Sequence, residues 1–104
     1  MRFGPWVRLT DEAALPVVAG VLQVRREVGL VTYPRGKSAM ILYAGVEDVR
    51  AACRRLAAEH PGRAWLCRWN RDPVEDVAGA AARLLADFAG RFGAEPSRMY
   101  EGED

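Results

Sequence analysis

The stretch Ala39-Met40-Ile41-Leu42-Tyr43-Ala44 restricts this chain more than any other. Extended, such a run places apolar side chains on both faces of a strand, so neither face can be left to water. It reads as a buried central strand, and it requires cover from both sides of a sheet. It is far shorter than the roughly 20 residues of a membrane span, and nothing longer and comparably apolar occurs elsewhere. With 104 residues the cover must come from the same single domain.

The rest of the chain supplies candidates for that cover. Residues 17–25 are rich in β-branched residues and predict a strand near 20–25; Glu27-Val28-Gly29 reads as a turn, with extended chain resuming from Leu30 to Tyr33. Pro34 to Ser38 reads as a polar loop. A helix is expected over about 46–60, with Val49, Cys53, Leu56, Ala57 and His60 on one stripe and Pro61-Gly62 ending it. Residues 64–69 predict a strand with Trp65, Cys67 and Trp69 on one face and Leu66 and Arg68 on the other. For the last helix Asp72, Pro73 and Glu75 fit N-cap, N1 and N3 of a capping box, and the helix runs to Gly93. Residues 6–16 read as a lead-in with a short helical turn capped by Thr10 and ended by Pro16.

The expected fold class is therefore α+β in the order β-β-α-β-α. An N-terminal antiparallel hairpin plus a third strand make a small three-stranded sheet flanked by helices. Residues 1–94 form one domain, and the acidic residues 95–104 are expected to fray.

Charge is unevenly distributed. Between Val21 and Arg71 nine arginines and Lys37, the only lysine, face four acids, a net of +6. From Asp72 onward three arginines face eight acids, a net of −5, so the overall +1 conceals two opposed segments. A basic middle of this kind suits an anion, and arginine suits phosphate because its planar fork donates two parallel hydrogen bonds. The candidate polyanion-binding residues are Arg25, Arg35, Lys37, Arg50, Arg54 and Arg55.

Other classes are set aside on spacing. Cys53 and Cys67 form no C-x-x-C pair, and with His60 they match no zinc pattern; they read as reduced, buried thiols. Arg35-Gly36-Lys37-Ser38 lacks the full phosphate-loop pattern and opens no helix, so it reads as a basic loop able to touch a backbone phosphate. His60 reads as a group compatible with the helix C-terminus, and Trp65 with Trp69 as core or interface. The N-terminus lacks a signal-peptide hydrophobic stretch, so a cytoplasmic location is expected, with no membrane partner.

Two segments carry a resemblance. Leu15-Pro16-Val17-Val18-Ala19-Gly20-Val21-Leu22 and Leu42-Tyr43-Ala44-Gly45, followed by Asp48-Val49, resemble in order the two motifs of the GIY-YIG nuclease family. The resemblance spans about residues 13–92. It implies a GIY-YIG-like fold, in a family whose members cut phosphodiester bonds with a divalent cation. In that family two tyrosines, an arginine on the following helix and a glutamate on a later helix surround the scissile phosphate. Tyr43 matches the second tyrosine; Leu22, Ala52 and Ala80 stand where the other three belong. Tyr33, Arg55 and Glu75 are the available substitutes, Glu75 as the metal ligand.

Three functions follow as expectations. The first is a nuclease-inactive GIY-YIG-like module that binds DNA, RNA or another polyanion and needs no cofactor. The second is a metal-dependent endonuclease using Tyr43, Tyr33, Arg55 and Glu75 with Mg²⁺ or Mn²⁺. The third is an interaction module, the basic middle of one copy meeting the acidic end of another in a homodimer.

Overall fold

The computed structural model describes residues 1–97. The chain order is β1 (Val7–Arg8), a 3-10 turn (Glu12–Ala14), β2 (Gly20–Arg26), β3 (Val31–Tyr33), β4 (Gly36–Ser38), β5 (Met40–Val46), α1 (Val49–Glu59), β6 (Trp65–Trp69) and α2 (Val77–Phe92). It is an α+β architecture with two α-helices. The main sheet has four antiparallel strands in the order β1-β6-β2-β5, and β3 with β4 forms a separate two-stranded hairpin. The expected three strands are thus joined by a fourth. Val7 and Arg8, expected in the lead-in, pair with Cys67 and Leu66 and extend the sheet beyond β6. The Thr10 cap is absent: Asp11 occupies the N-cap of the 3-10 turn, and no side chain caps it. The expected loop after Pro34 is also more regular, because Gly36 and Lys37 pair back on Tyr33 and Thr32.

The strand expected at the centre, β5, lies at the edge, paired only with β2; β2 is central. An apolar pattern reports the need for cover on a strand's faces and not which of its edges are paired, so the sequence alone does not separate these positions. Between Val24 and Arg25 the β2–β5 register shifts, and Ile41 is the additional residue, fully buried.

The two helices lie on opposite faces. Leu22, Val24 and Cys67 share the face under α1, where the Cys53 Sγ lies 3.8 Å from the Cys67 Sγ. Both thiols are free and buried. Their shared contact lowers the pKa of Cys53 and, with burial, raises that of Cys67 well beyond the ordinary thiol range. Val21 lies on the other face, packed against Ala80 and Ala81 of α2. The buried residues of α2 are Ala80, Ala81 and Phe88, with Val77 and Leu84 packed beside the two alanines.

Local chemistry fixes both helices. Asp48 caps α1 by accepting from the Ala51 N–H. Helix α2 begins at Val77, capped by Asp76 accepting from the Gly79 N–H, and not at Asp72. Asp72 instead receives a bidentate pair from Arg2. The decisive residue is Asn70, which sits at the end of β6. It accepts from the Val21 N–H at 2.8 Å and donates to the Asp72 carbonyl at 2.6 Å, so that carbonyl is taken and no helix starts at Asp72. Gly45 lets α2 approach β5: an added Cβ would lie 2.7 Å from the Val77 carbonyl oxygen. Gly93 ends α2 in the left-handed conformation (φ 82°).

Beyond α2 the chain remains attached for several residues. Pro96 is buried, and the Ser97 N–H donates to the Tyr33 hydroxyl. The remainder of the acidic tail, 98–104, lies outside the described residues.

Candidate anion-binding site

The α2 face of the sheet is only partly covered. Phe88 of α2 stands edge-on to Tyr43 of β5, with ring centroids 5.8 Å apart, and the helix shelters that side. Toward β6 the same face carries polar residues. Register places Tyr43, Gln23 and Arg68 in one row across β5, β2 and β6, and Arg25 follows on β2. Arg68 Nε donates to Gln23 Oε1 at 2.6 Å. The N-terminal segment, held by the Phe3–Asn70 bridge and by Gly4 N–H to the Trp69 carbonyl, lays two aromatic rings here.

The Trp6 ring takes both guanidiniums. Its centroid is 4.4 Å from the Arg68 guanidinium carbon and 4.8 Å from that of Arg25, and Phe3 lies 4.9 Å from Arg68. Among the described residues neither arginine has a carboxylate partner, and Arg25 Nε is buried without a hydrogen bond. Electrostatics bear the marks of this crowding. Burial lowers the Arg68 pKa, and the neighbouring Arg25 adds to that effect. Burial raises the Tyr43 pKa, and Arg68 partly opposes it. Two like charges held together, one of them with an unbonded Nε, form a candidate seat for an oxyanion.

The other sequence candidates are placed as follows. Arg35 donates to the carbonyls of Ala89 and Gly90 at the end of α2. Arg50 Nε donates to the Leu15 carbonyl at 2.7 Å. Arg54 pairs with Glu12, which lowers the Glu12 pKa. These three are engaged in holding the fold. Lys37 and Arg55 are exposed, Lys37 on the β3–β4 hairpin and Arg55 on α1. Tyr33 is buried; its hydroxyl donates to the Met40 carbonyl, and its ring meets Phe88 at 5.1 Å.

The structure therefore brings Tyr33 and Tyr43 onto one phenylalanine. It does not bring Arg55 to them, because Arg55 flanks Leu42, Ala44 and Val46 on the α1 face while Tyr43 points to the α2 face. Glu75 is exposed in the segment before α2 and caps nothing; the expected capping box is replaced by Asp76. Among the described residues no cluster of three His, Cys, Asp or Glu side chains is arranged to hold a metal ion.

Arg68, Gln23 and Trp6 are the residues that sequence reasoning missed. A signal existed: Arg68 is a charge inside an otherwise apolar strand, on the face opposite Cys67. That it meets Arg25 depends on β6 pairing with β2, which no local pattern reveals. Comparison with family models, with curated proteins and with solved structures finds no match.

Proposed function

We propose that this chain is a small anion-binding domain, a GIY-YIG-like module without nuclease chemistry, that holds the phosphate backbone of nucleic acid. The observation that carries the reading is the Arg25–Arg68 pair, stacked on Trp6 with no carboxylate beside it. A fold that keeps two guanidiniums together without neutralising them stores repulsion that an anion relieves. The pairing of the two GIY-YIG-like segments as neighbouring antiparallel strands is in keeping with the resemblance. Lys37, exposed on the β3–β4 hairpin and without an ion pair among the described residues, adds positive charge.

Fluorescence anisotropy with a labelled single-stranded oligonucleotide and its duplex, across a salt series, tests the proposal. Two phosphates neutralised on a single strand give a log–log salt slope of about −1.4. The double variant Arg25→Met, Arg68→Met is expected to lose most of the affinity and most of the slope. Binding that ignores salt, or survives the double variant, sinks the reading. The same mixtures incubated with Mg²⁺ or Mn²⁺ report on the endonuclease alternative, and cleavage that disappears in Tyr43→Phe would support it.

A further inference from the structure

We propose that β5 is the middle of a homodimer. In it the β5 strands of two copies pair antiparallel across a twofold axis perpendicular to the sheet, making one sheet of eight strands. The inference is independent of the anion site.

Met40 to Val46 carries the sequence of a strand buried on all sides, yet it stands at the sheet edge. An edge of this length usually carries charges, a proline or a covering segment to prevent pairing; β5 has no charged residue and no proline. The Met40 N–H and carbonyl are satisfied locally by Ser38 and Tyr33. From Ile41 to Val46 the ladder runs to β2 alone, and the other side of the backbone has no partner among the described residues.

The edge is bordered by a groove on each face. On the α2 side a cavity of about 420 Å³ is lined by Met40, Tyr43, Leu84 and Phe88, among others. On the α1 side a cavity of about 250 Å³ is lined by Leu42, Ala44, Val46 and Leu56, among others. A strand added to β5 sends alternate side chains to the two faces, which is what two flanking grooves receive.

The groove rims select the occupant. Each groove is rimmed by one base and one acid a single helical turn apart, Asp87 with Arg91 on α2 and Arg55 with Glu59 on α1. A twofold axis near the Leu42–Tyr43 step runs each helix antiparallel to its counterpart. Asp87 of one copy then faces Arg91 of the other, and Arg55 faces Glu59 in the same way. Balanced rims of this pattern complement themselves, as an isologous interface requires. A foreign strand has no need of them.

Sedimentation velocity over a concentration series tests the dimer. The wild-type chain is expected to pass from monomer to dimer. Asp87→Arg and Arg91→Asp each turn two attractions into repulsions and are expected to raise the dissociation constant about tenfold. Mixing the two variants in equal amounts restores a heterodimer, and the double variant Asp87→Arg, Arg91→Asp restores the homodimer. Both residues are exposed, and recovery on mixing also shows that each variant is folded. Slowed amide exchange from Ile41 to Val46 in the dimer locates the contact on β5. A wild-type chain that stays monomeric throughout, single variants that dimerise like wild type, or a mixture that stays monomeric overturns the proposal. In the first case the occupant of the edge is a strand from a different protein.

Discussion

Two parts of one sheet are left open by the helices, and they are unlike. On the α2 face, toward β6, the opening holds Arg25, Arg68 and Gln23 under Trp6 and Phe3. Along β5 it holds Met40, Leu42, Ala44 and Val46, with charges only at the rims. The first tolerates partial contact with water, because guanidiniums keep their charge and rest their planes on aromatic rings. Water at the second exposes hydrocarbon and an unpaired backbone row, at a cost that grows with every residue of the strand. The cationic surface is complete as a fold; the apolar edge leaves a backbone row that no described residue pairs. An arginine-rich composition and an apolar run are therefore different kinds of statement: one concerns what suits binding, the other what must be covered.

Substitutions that act on one opening and spare the other sharpen this contrast. The largest effect is expected where both depend on a common support. Phe88 touches Tyr33, Tyr43 and Phe92, so Phe88→Ala should cost about 3–5 kcal/mol in chemical denaturation and loosen the edge more than the arginine pair. Asn70→Ala leaves the buried Val21 N–H without its acceptor; a loss of about 1–3 kcal/mol is expected, read by the same denaturation curves. Arg68→Met should reverse the pattern. It removes one of two like charges along with its bond to Gln23, so stability should change by about 1 kcal/mol or less while oligonucleotide affinity falls roughly tenfold. If Arg68→Met instead unfolded the chain, the distinction between a finished and an unfinished surface would fail.

The smallest effect concerns pH. Arg2 holds the Asp72 carboxyl below its ordinary pKa, and Arg54 does the same for Glu12. A carboxylate whose folded pKa is depressed contributes stability above its unfolded pKa, near 4, and that contribution disappears as pH falls through the lower folded value. Both pairs are on the surface, so thermal melts between about pH 5 and pH 2.5 should show only a modest extra decline, weakened further by salt and removed in part by Asp72→Asn.

What was legible in the sequence follows local physics. The α1 stripe of Val49, Cys53 and Leu56, the Trp65–Trp69 alternation and the stop at Gly93 are periodicity and capping, and each needs only neighbouring residues. What escaped depends on partners distant in the chain. Val7 and Arg8 become a strand only because β6 offers an edge. Asp72 fails to start a helix because Asn70 and Arg2 take its carbonyl and carboxylate, leaving Asp76 as the cap. The candidate site divides in the same manner. Tyr43 and Arg25 were visible as residue types, but their shared row with Gln23 and Arg68 exists only through pairing. Arg35, Arg50 and Arg54 were counted as available charge, and the fold uses all three as struts.

The position of Trp6 has a practical consequence. The chain has three tryptophans; Trp65 is buried, and Trp6 alone is sandwiched with both guanidiniums of the cationic surface. Cations near an indole displace its emission through their field, so any anion that draws Arg25 and Arg68 outward changes the light Trp6 gives off. The protein thus carries its own optical gauge of occupancy. A Trp6→Phe chain, keeping Trp65 and Trp69, provides the blank.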